Sequence, residues 1–471
     1  MTIFVSLIRR HSAQSLPLTL LLAVLICFGP WTELCAQDNS IVLKAAHLFD
    51  GKSKTLLSNA MVVVQGDKIV DAGTNVTAPA DAQVIDLGDM TLSPGFIDAH
   101  THLTFDYSGD YNKTRIGQLS VNVSEIALNS TVYARATVEA GFTTVRDVGS
   151  GFVNSPEFVD VALRNAINRG VVVGPRMLVA TRGVGATGGH FDSTNGYRNM
   201  LFGREPDTTW GIADGPDAVR QVVRFEIKNG ADVIKAAVSG GVLSLADEVD
   251  VPQFTPEEMK ALVDETHRLR KKVAVHCHGD QAAKEAITAG VDSIEHGSFL
   301  KPDTLALMKT KGTYLTPTLM ATEWILPKLN QYPPAVQEKA KAAAAARSEM
   351  FKNALKAGVK ISFGTDAAVF PHGINAREFK LMVDLGMAPA DALISATSAD
   401  ADLLGISAKV GTLEKGKLAD IVAMPGNALA DITATERVSF VMKEGKIIRN
   451  GPATKMPTAE ANQPSEEIPA D

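Results

Sequence analysis

Cysteine is nearly missing from this chain: 471 residues hold three, at Cys27, Cys35 and Cys277. The first two stand in an N-terminal stretch that reads as a removable signal, and the one remaining thiol cannot close an internal disulfide. That excludes a disulfide framework, so a core, or a bound metal, must hold the fold together. Positive charge is short as well. Against 53 Asp and Glu stand 46 Lys and Arg, a net charge of -7. With no basic surplus to neutralise phosphates, nucleic acid is not an expected partner. Apolar runs are also short: Leu16 to Phe28 spans 13 residues, interrupted by Pro17 and Thr19, whereas a membrane-spanning helix needs ~20.

What is present is the composition of a globular protein with ample core, 45% hydrophobic and 21% charged, which excludes a disordered or collagenous chain. Residues 1–36 have the layout of a secretory signal: Arg9 and Arg10, the apolar run, then Leu34, Cys35 and Ala36 as a cleavage site. Export is therefore expected, periplasmic or secreted, with no stable membrane anchor after cleavage and a soluble mature chain. Residues 452–471, rich in Pro, Ala, Glu and Thr, are expected to form a flexible tail. Four Asn-x-Ser/Thr sites, at Asn75, Asn112, Asn122 and Asn129, matter only in a glycosylating host.

Short strand-like runs crowd both flanks. Ile41 to Ala46, Met61 to Gln65 and Lys68 to Ala72 recur in texture at Ala419 to Met424 and Val438 to Ile448. A composite β-sandwich domain built from 37–92 and 411–451 is the expectation. Between the flanks, over 93–410, strand-like and helix-like segments alternate. Strand candidates are Phe96–His102, Phe142–Val148, Arg176–Thr181, Val233–Val238, Val273–His278, Ser293–His296, Thr313–Pro317 and Ile361–Asp366. Helical patterns fall at Pro216–Lys228, Pro256–Arg270, Gln281–Ala289 and Ala335–Ala357. Eight such strands predict an α/β (β/α)8 TIM-type barrel. No glycine-rich dinucleotide turn follows the first strand, which argues against a doubly wound sheet.

Active sites of such barrels gather at the C-terminal ends of the strands, and polar residues fall there. His100 and His102 stand at i and i+2, and a strand's period of two points both imidazoles the same way, as a chelating pair requires. His276 and His278 repeat the spacing, His296 ends the next strand, and Asp366 closes the eighth. Lys235 lies among apolar residues, where an ammonium is costly unless it is paired or chemically altered. Neutral imidazoles, a carboxylate and an inward lysine suit Zn²⁺ or a similar divalent ion. Cys277 faces away from the histidines on either side and reads as a packed thiol.

The run Ser93-Pro94-Gly95-Phe96-Ile97-Asp98-Ala99-His100-Thr101-His102 resembles the opening signature of the amidohydrolase superfamily. Lys235, His276, His296 and Asp366 match its remaining metal positions in order. The stretches His276 to Gly279 and Gly290 to Gly297 are similar to the imidazolonepropionase-like and Xaa-Pro dipeptidase-like branch, which includes ochratoxin-hydrolysing amidases. The resemblance implies two divalent metal ions, with Zn²⁺ the first choice. One would be held by His100, His102 and Asp366 and the other by His276 and His296, with Lys235 carboxylated as the bridge. Spacing leaves His276 and His278 both open as the fifth-strand ligand; position in the family pattern favours His276 and turns His278 toward substrate.

The implied reaction is hydrolysis of a small-molecule, peptide-like amide, with Asp366 moving the proton. N-acyl amino acids, Xaa-Pro dipeptides and ochratoxin-like aromatic amides all fit; cyclic amides of imidazolone type, or an inactive exported binding protein, are the alternatives. The long loop Gly183 to Asp214 offers His190 as a substrate contact. Tyr107, Tyr111, Trp324 and Leu326 are candidates for an apolar wall, and His372 is ambiguous. No arginine stands out as a clamp for the product carboxylate. Relatives commonly assemble, so a homo-oligomer is implied too.

Overall fold

The computed structural model describes residues 40–452 apart from 107–109, 118–119, 151–156, 199–200 and 202. The expected signal segment 1–36, Tyr107 and all of the expected tail except Pro452 lie outside the described residues. Among the described residues no helix is long and apolar enough to cross a membrane.

The N-terminal flank forms β1 (Ile41–Leu48), β2 (Leu57–Gln65), β3 (Lys68–Gly73), β4 (Gln83–Asp86) and β5 (Met90–Pro94). The middle of the chain supplies β6 (Phe96–Thr101), β7 (Phe142–Asp147), β8 (Arg176–Val179) and β9 (Val233–Ala237). It continues with β10 (Lys272–Cys277), β11 (Ser293–His296), β12 (Tyr314–Thr316) and β13 (Lys360–Ile361). The C-terminal flank adds β14 (Ile421–Pro425), β15 (Phe440–Lys443) and β16 (Lys446–Asn450).

Both flanks enter one sheet, ordered β16-β15-β14-β5-β1-β2-β3 with β4 paired to β1. The join is β5 against β14, antiparallel from Met90 opposite Pro425 to Pro94 opposite Ile421. Leu43, Val62, Leu92, Ile421, Phe440 and Met442 bury one common core. The single strand expected over Val438–Ile448 is instead a hairpin. Lys443 pairs with Lys446, and Glu444 and Gly445 turn with φ of 50° and 73°, the two positive values a type I′ turn demands.

The middle strands run parallel in two sets, β6-β7-β8 and β9-β10-β11-β12-β13. Hydrogen bonds close both gaps. Asp232 N donates to Val179 O (2.7 Å) between β8 and β9. On the other side Ala99 N donates to Phe363 O (2.9 Å) and Asp366 N to His100 O (2.8 Å). The ring is thus a (β/α)8 barrel, as expected from the alternation. Its eighth strand is shorter than the predicted Ile361–Asp366. Gly364 is pressed so close to His100 and Thr316 that a β-carbon there would overlap them, and Asp366 adopts φ 64°. Regular pairing therefore stops after two residues.

The outer helices follow their local signals. Pro256–Arg268 opens with a capping box: Thr255 N donates to Glu258 Oε2 (2.7 Å) while Glu258 N donates to Thr255 Oγ1 (3.3 Å). Met259, Leu262, Val263 and Thr266 then bury one face at helical spacing. Pro334–Ala357 carries Ala340, Ala343, Arg347, Met350 and Phe351 on its buried side. Against the barrel wall, Ile97 and Ala99 of β6 pack outward with Leu403 and Val410, which turns Asp98 and His100 inward.

Candidate active site

The strand ends bring the sequence candidates together. His100, His102 and Asp366 form one group whose ligand atoms all lie within 4.8 Å of one another; His276, His278 and His296 form another. The groups adjoin: the His100 and His296 ring centroids are 5.0 Å apart. Two backbones are held in the left-handed region to do this, His296 at φ 72° and Asp366 at φ 64°, a conformation costing non-glycine residues about 1–3 kcal/mol each.

The second nitrogen of each ring is already occupied. His100 Nδ1 donates to Glu295 Oε2 (2.8 Å) and His102 Nδ1 to Gly149 O (3.0 Å). His276 Nε2 donates to Gly240 O (3.2 Å). His296 Nδ1 donates to Thr318 Oγ1 (2.7 Å), whose own proton goes to Pro317 O (2.8 Å). Because these partners accept, the tautomers are set and the remaining nitrogen of each ring carries a bare lone pair. His278, just past the end of β10, has its Nδ1 2.8 Å from Ser298 Oγ, so it and His276 both keep a nitrogen for the site.

Electrostatics prepares the same groups. Burial holds His100, His276 and His296 below the ordinary imidazole range, and burial with the Arg347 charge takes His278 down to about 3. Burial opposes ionisation of Asp366, but the His100 and His102 imidazoles against it keep the carboxyl well below its usual range. Lys235 is 1% exposed, its Nζ has no hydrogen-bond partner, and burial brings it down to about 8. A lone ammonium beside two clusters of lone pairs is the misfit predicted from sequence. Bare imidazole nitrogens, an ionised carboxylate and this orphaned lysine are a donor set that fits divalent cations.

A cavity of about 280 Å³ opens over these groups. His190 lines it, stacked on His276 with centroids 4.2 Å apart. Its Nδ1 lies 3.1 Å from Ser244 Oγ, which in turn donates to Asp247. A hydroxyl that has given its proton to a carboxylate must accept from Nδ1–H, so Nε2 of the neutral ring is left as an acceptor. Burial lowers His190 to about 4, which keeps it neutral.

Other expectations need correction. Leu326 lines the cavity, but Tyr111 and Trp324 do not. Tyr111 is buried against Tyr332, and its hydroxyl donates to Leu243 O (3.0 Å); Trp324 lies under Lys328 Nζ at 3.7 Å. The aromatic walls are Phe105, Phe191 and Trp210 instead. His372 is structural, bonded to Phe105 O (2.9 Å) and stacked on Tyr133. Cys277 is a buried thiol beside Gly279 O, pushed up by burial. Arg347, from the alanine-rich helix, also lines the cavity, and nothing in its sequence surroundings marked it.

The sequence pattern of the amidohydrolase family matches residues 91–448, from β5 to β16. The chain belongs to the amidohydrolase family. Ochratoxinase of Aspergillus niger is 32% identical over 441 residues, covering 87% of this chain and 86% of that protein. A crystal structure of a Xaa-Pro dipeptidase with bound methionine is 40% identical, covers 88% of this chain and all 100% of its own, and superposes with a TM-score of 0.83. Imidazolonepropionase of Pseudomonas fluorescens is 26% identical, covering 80% of this chain and 90% of that protein. This amidohydrolase is accordingly a hydrolase of amide carbon–nitrogen bonds. The superfamily depends generally on divalent metals, and the donor set just described suits them.

Proposed function

We propose that this amidohydrolase cleaves a peptide-like amide joining an acyl group to an amino acid, an N-acyl amino acid or a Xaa-Pro type dipeptide, with two divalent cations in the strand-end clusters. The observation that carries it is the adjacency of the two ligand groups around the buried, unpartnered Lys235. His100, His102 and Asp366 would hold one cation and His276 and His296 the other. Lys235, carboxylated at Nζ, would serve both: its amine adds to carbon dioxide, loses a proton, and becomes an anion in place of an ammonium. Zn²⁺ is the first choice, since these ligand types suit it.

Such cations supply Lewis acidity and lower the pKa of water. The chain's residues do the rest. Asp366, ionised, accepts a proton from the attacking water and passes it to the departing amide nitrogen, so that water is added across the C–N bond. His190 presents Nε2 as an acceptor to a donor group on the substrate, and His278 faces the substrate beside the second cluster. Phe105, Phe191 and Trp210 wall the cavity against bulk water and favour apolar or aromatic substituents.

The ochratoxinase and Xaa-Pro dipeptidase similarities support this substrate class, both having counterparts at 30% identity or more. Export through residues 1–36 is part of the same proposal, supported by Arg9, Arg10 and the apolar run after them. Elemental analysis of the purified protein with a screen of N-acyl amino acids, Xaa-Pro dipeptides and cyclic amides tests it. Two divalent ions per chain and turnover of linear amides are expected. Turnover confined to cyclic amides overturns the substrate class, and a metal-free active enzyme overturns the site.

A further inference from the structure

We propose that Arg347 is the residue that recognises a free carboxylate on the substrate, adjacent to the scissile amide nitrogen, and so restricts the enzyme to C-terminal amino-acid residues. This rests on the hydrolase reading of the site and adds the group that selects the substrate's far end. Arg347 projects from the helix Pro334–Ala357 into the cavity shared with His278, His296 and Asp366.

The guanidinium's hydrogen bonds are unevenly used. Nη1 donates to two carbonyls, Thr318 O (2.9 Å) and Leu319 O (3.1 Å), at the end of the loop after β12. Nε is buried with no partner at all. No carboxylate among the described residues lies within ion-pair distance of it, and the residue is 6% exposed. Two backbone bonds thus clamp one corner of the plane, Nε is enclosed, and Nη2, which makes no hydrogen bond among the described residues, is the donor left for a carboxylate in the cavity. A purely structural arginine at this place would need only the Nη1 bonds.

The charge is not neutralised from behind. Glu378 packs under the same loop, where its carboxyl accepts from Leu319 N (2.8 Å) and Met320 N (2.7 Å). Burial pushes that carboxyl up to about 8, while Arg347, lowered by burial to about 10, stays cationic at neutral pH. A buried cation with no carboxylate in ion-pair contact is an incomplete site. The cavity's other arginines are engaged elsewhere: Arg115 donates to Tyr197 Oη (2.9 Å), and Arg182 donates to Thr209 O and lies 5.0 Å from the Phe158 ring. In an N-acyl amino acid the carboxylate is one carbon removed from the scissile nitrogen, so an anion site beside the metal-ligand clusters matches the leaving half of the molecule.

The test compares a free-acid substrate with its carboxamide in the wild type, Arg347→Gln and Arg347→Lys, each loaded with metal and checked for an unchanged melting curve. Wild type is expected to favour the acid by about 100-fold in kcat/KM, Arg347→Gln to bring that ratio near one, and Arg347→Lys to fall between, since it keeps the charge and loses the fork. A ratio unchanged in Arg347→Gln, with both substrates losing equally, overturns the proposal and leaves Arg347 as a brace for Thr318. Calorimetry with L-phenylalanine and L-phenylalaninamide gives a readout free of turnover. Preferential binding of the acid, lost in Arg347→Gln, sustains the proposal even if no amide is cleaved, in which case the hydrolase reading alone fails; equal binding of the two overturns it.

Discussion

Replacing Glu295 by Gln isolates the buried charge pair beneath the site. Glu295 is fully buried and accepts from His100 Nδ1 (2.8 Å), Arg146 Nη2 (2.8 Å) and Ser293 Oγ (2.5 Å). Burial opposes its charge, but Arg146 and His100 hold the carboxyl far below its usual range. Glutamine keeps the shape, but it has one acceptor oxygen and turns two N–H donors toward groups that also donate. Arg146, itself fully buried, is left without a counter-charge. Breaking a buried pair in this way costs about 3–5 kcal/mol. Loss of the bond that fixes the His100 ring should weaken metal binding about 10–100-fold. Urea unfolding of the metal-free protein reads the first effect, and chelator competition reads the second. Stability and metal affinity both at wild-type values would refute the assignment of Glu295 as the carboxylate that orients His100.

Asp366→Asn should lower kcat by about 10²–10⁴ through loss of the proton carrier while retaining bound metal; undiminished turnover in steady-state assays would remove Asp366 from that role. Gly241→Ala places a β-carbon against the His190 imidazole, and displacing that ring should reduce kcat/KM about 100-fold; unchanged kinetics would free His190 from substrate positioning. The Glu378 carboxyl moves up from 4.5 to about 8 on folding. The folded state therefore binds the extra proton in that window, and this group's contribution to stability falls as pH rises through it. Urea midpoints measured at pH 5 and pH 8 should differ less in Glu378→Gln than in wild type, and an equal difference would contradict the burial of an uncompensated carboxyl there.

Much of this molecule was legible in the sequence for a physical reason. A pair of histidines at i and i+2 has one geometric meaning in a strand, so His100, His102, His276 and His278 announced both the direction of their side chains and the end of the barrel they occupy. Lys235 stood out because an ammonium among apolar residues demands an explanation. The missed features carry no such constraint. Tyr111 and Trp324 have the composition of a cavity wall, but an aromatic ring packs equally well inward, and only the Leu243 carbonyl bonded to Tyr111 shows which way it turned. Arg347 sits in an alanine-rich helix whose periodicity identifies a buried face without indicating that an arginine on it reaches the site. The hairpin at Glu444-Gly445 lacks the Asn-Gly or Asp-Gly pair that signals a two-residue turn most strongly, so two strands read as one.

Anomalous diffraction from crystals of the metal-loaded protein, collected across the zinc edge, addresses the proposed binuclear site directly. Two peaks are predicted, one against His100, His102 and Asp366 and the other against His276 and His296, with extra density on Lys235 Nζ between them. A single peak, or two peaks away from these side chains with Lys235 unmodified, would contradict the shared metal centre on which the proposed hydrolysis depends.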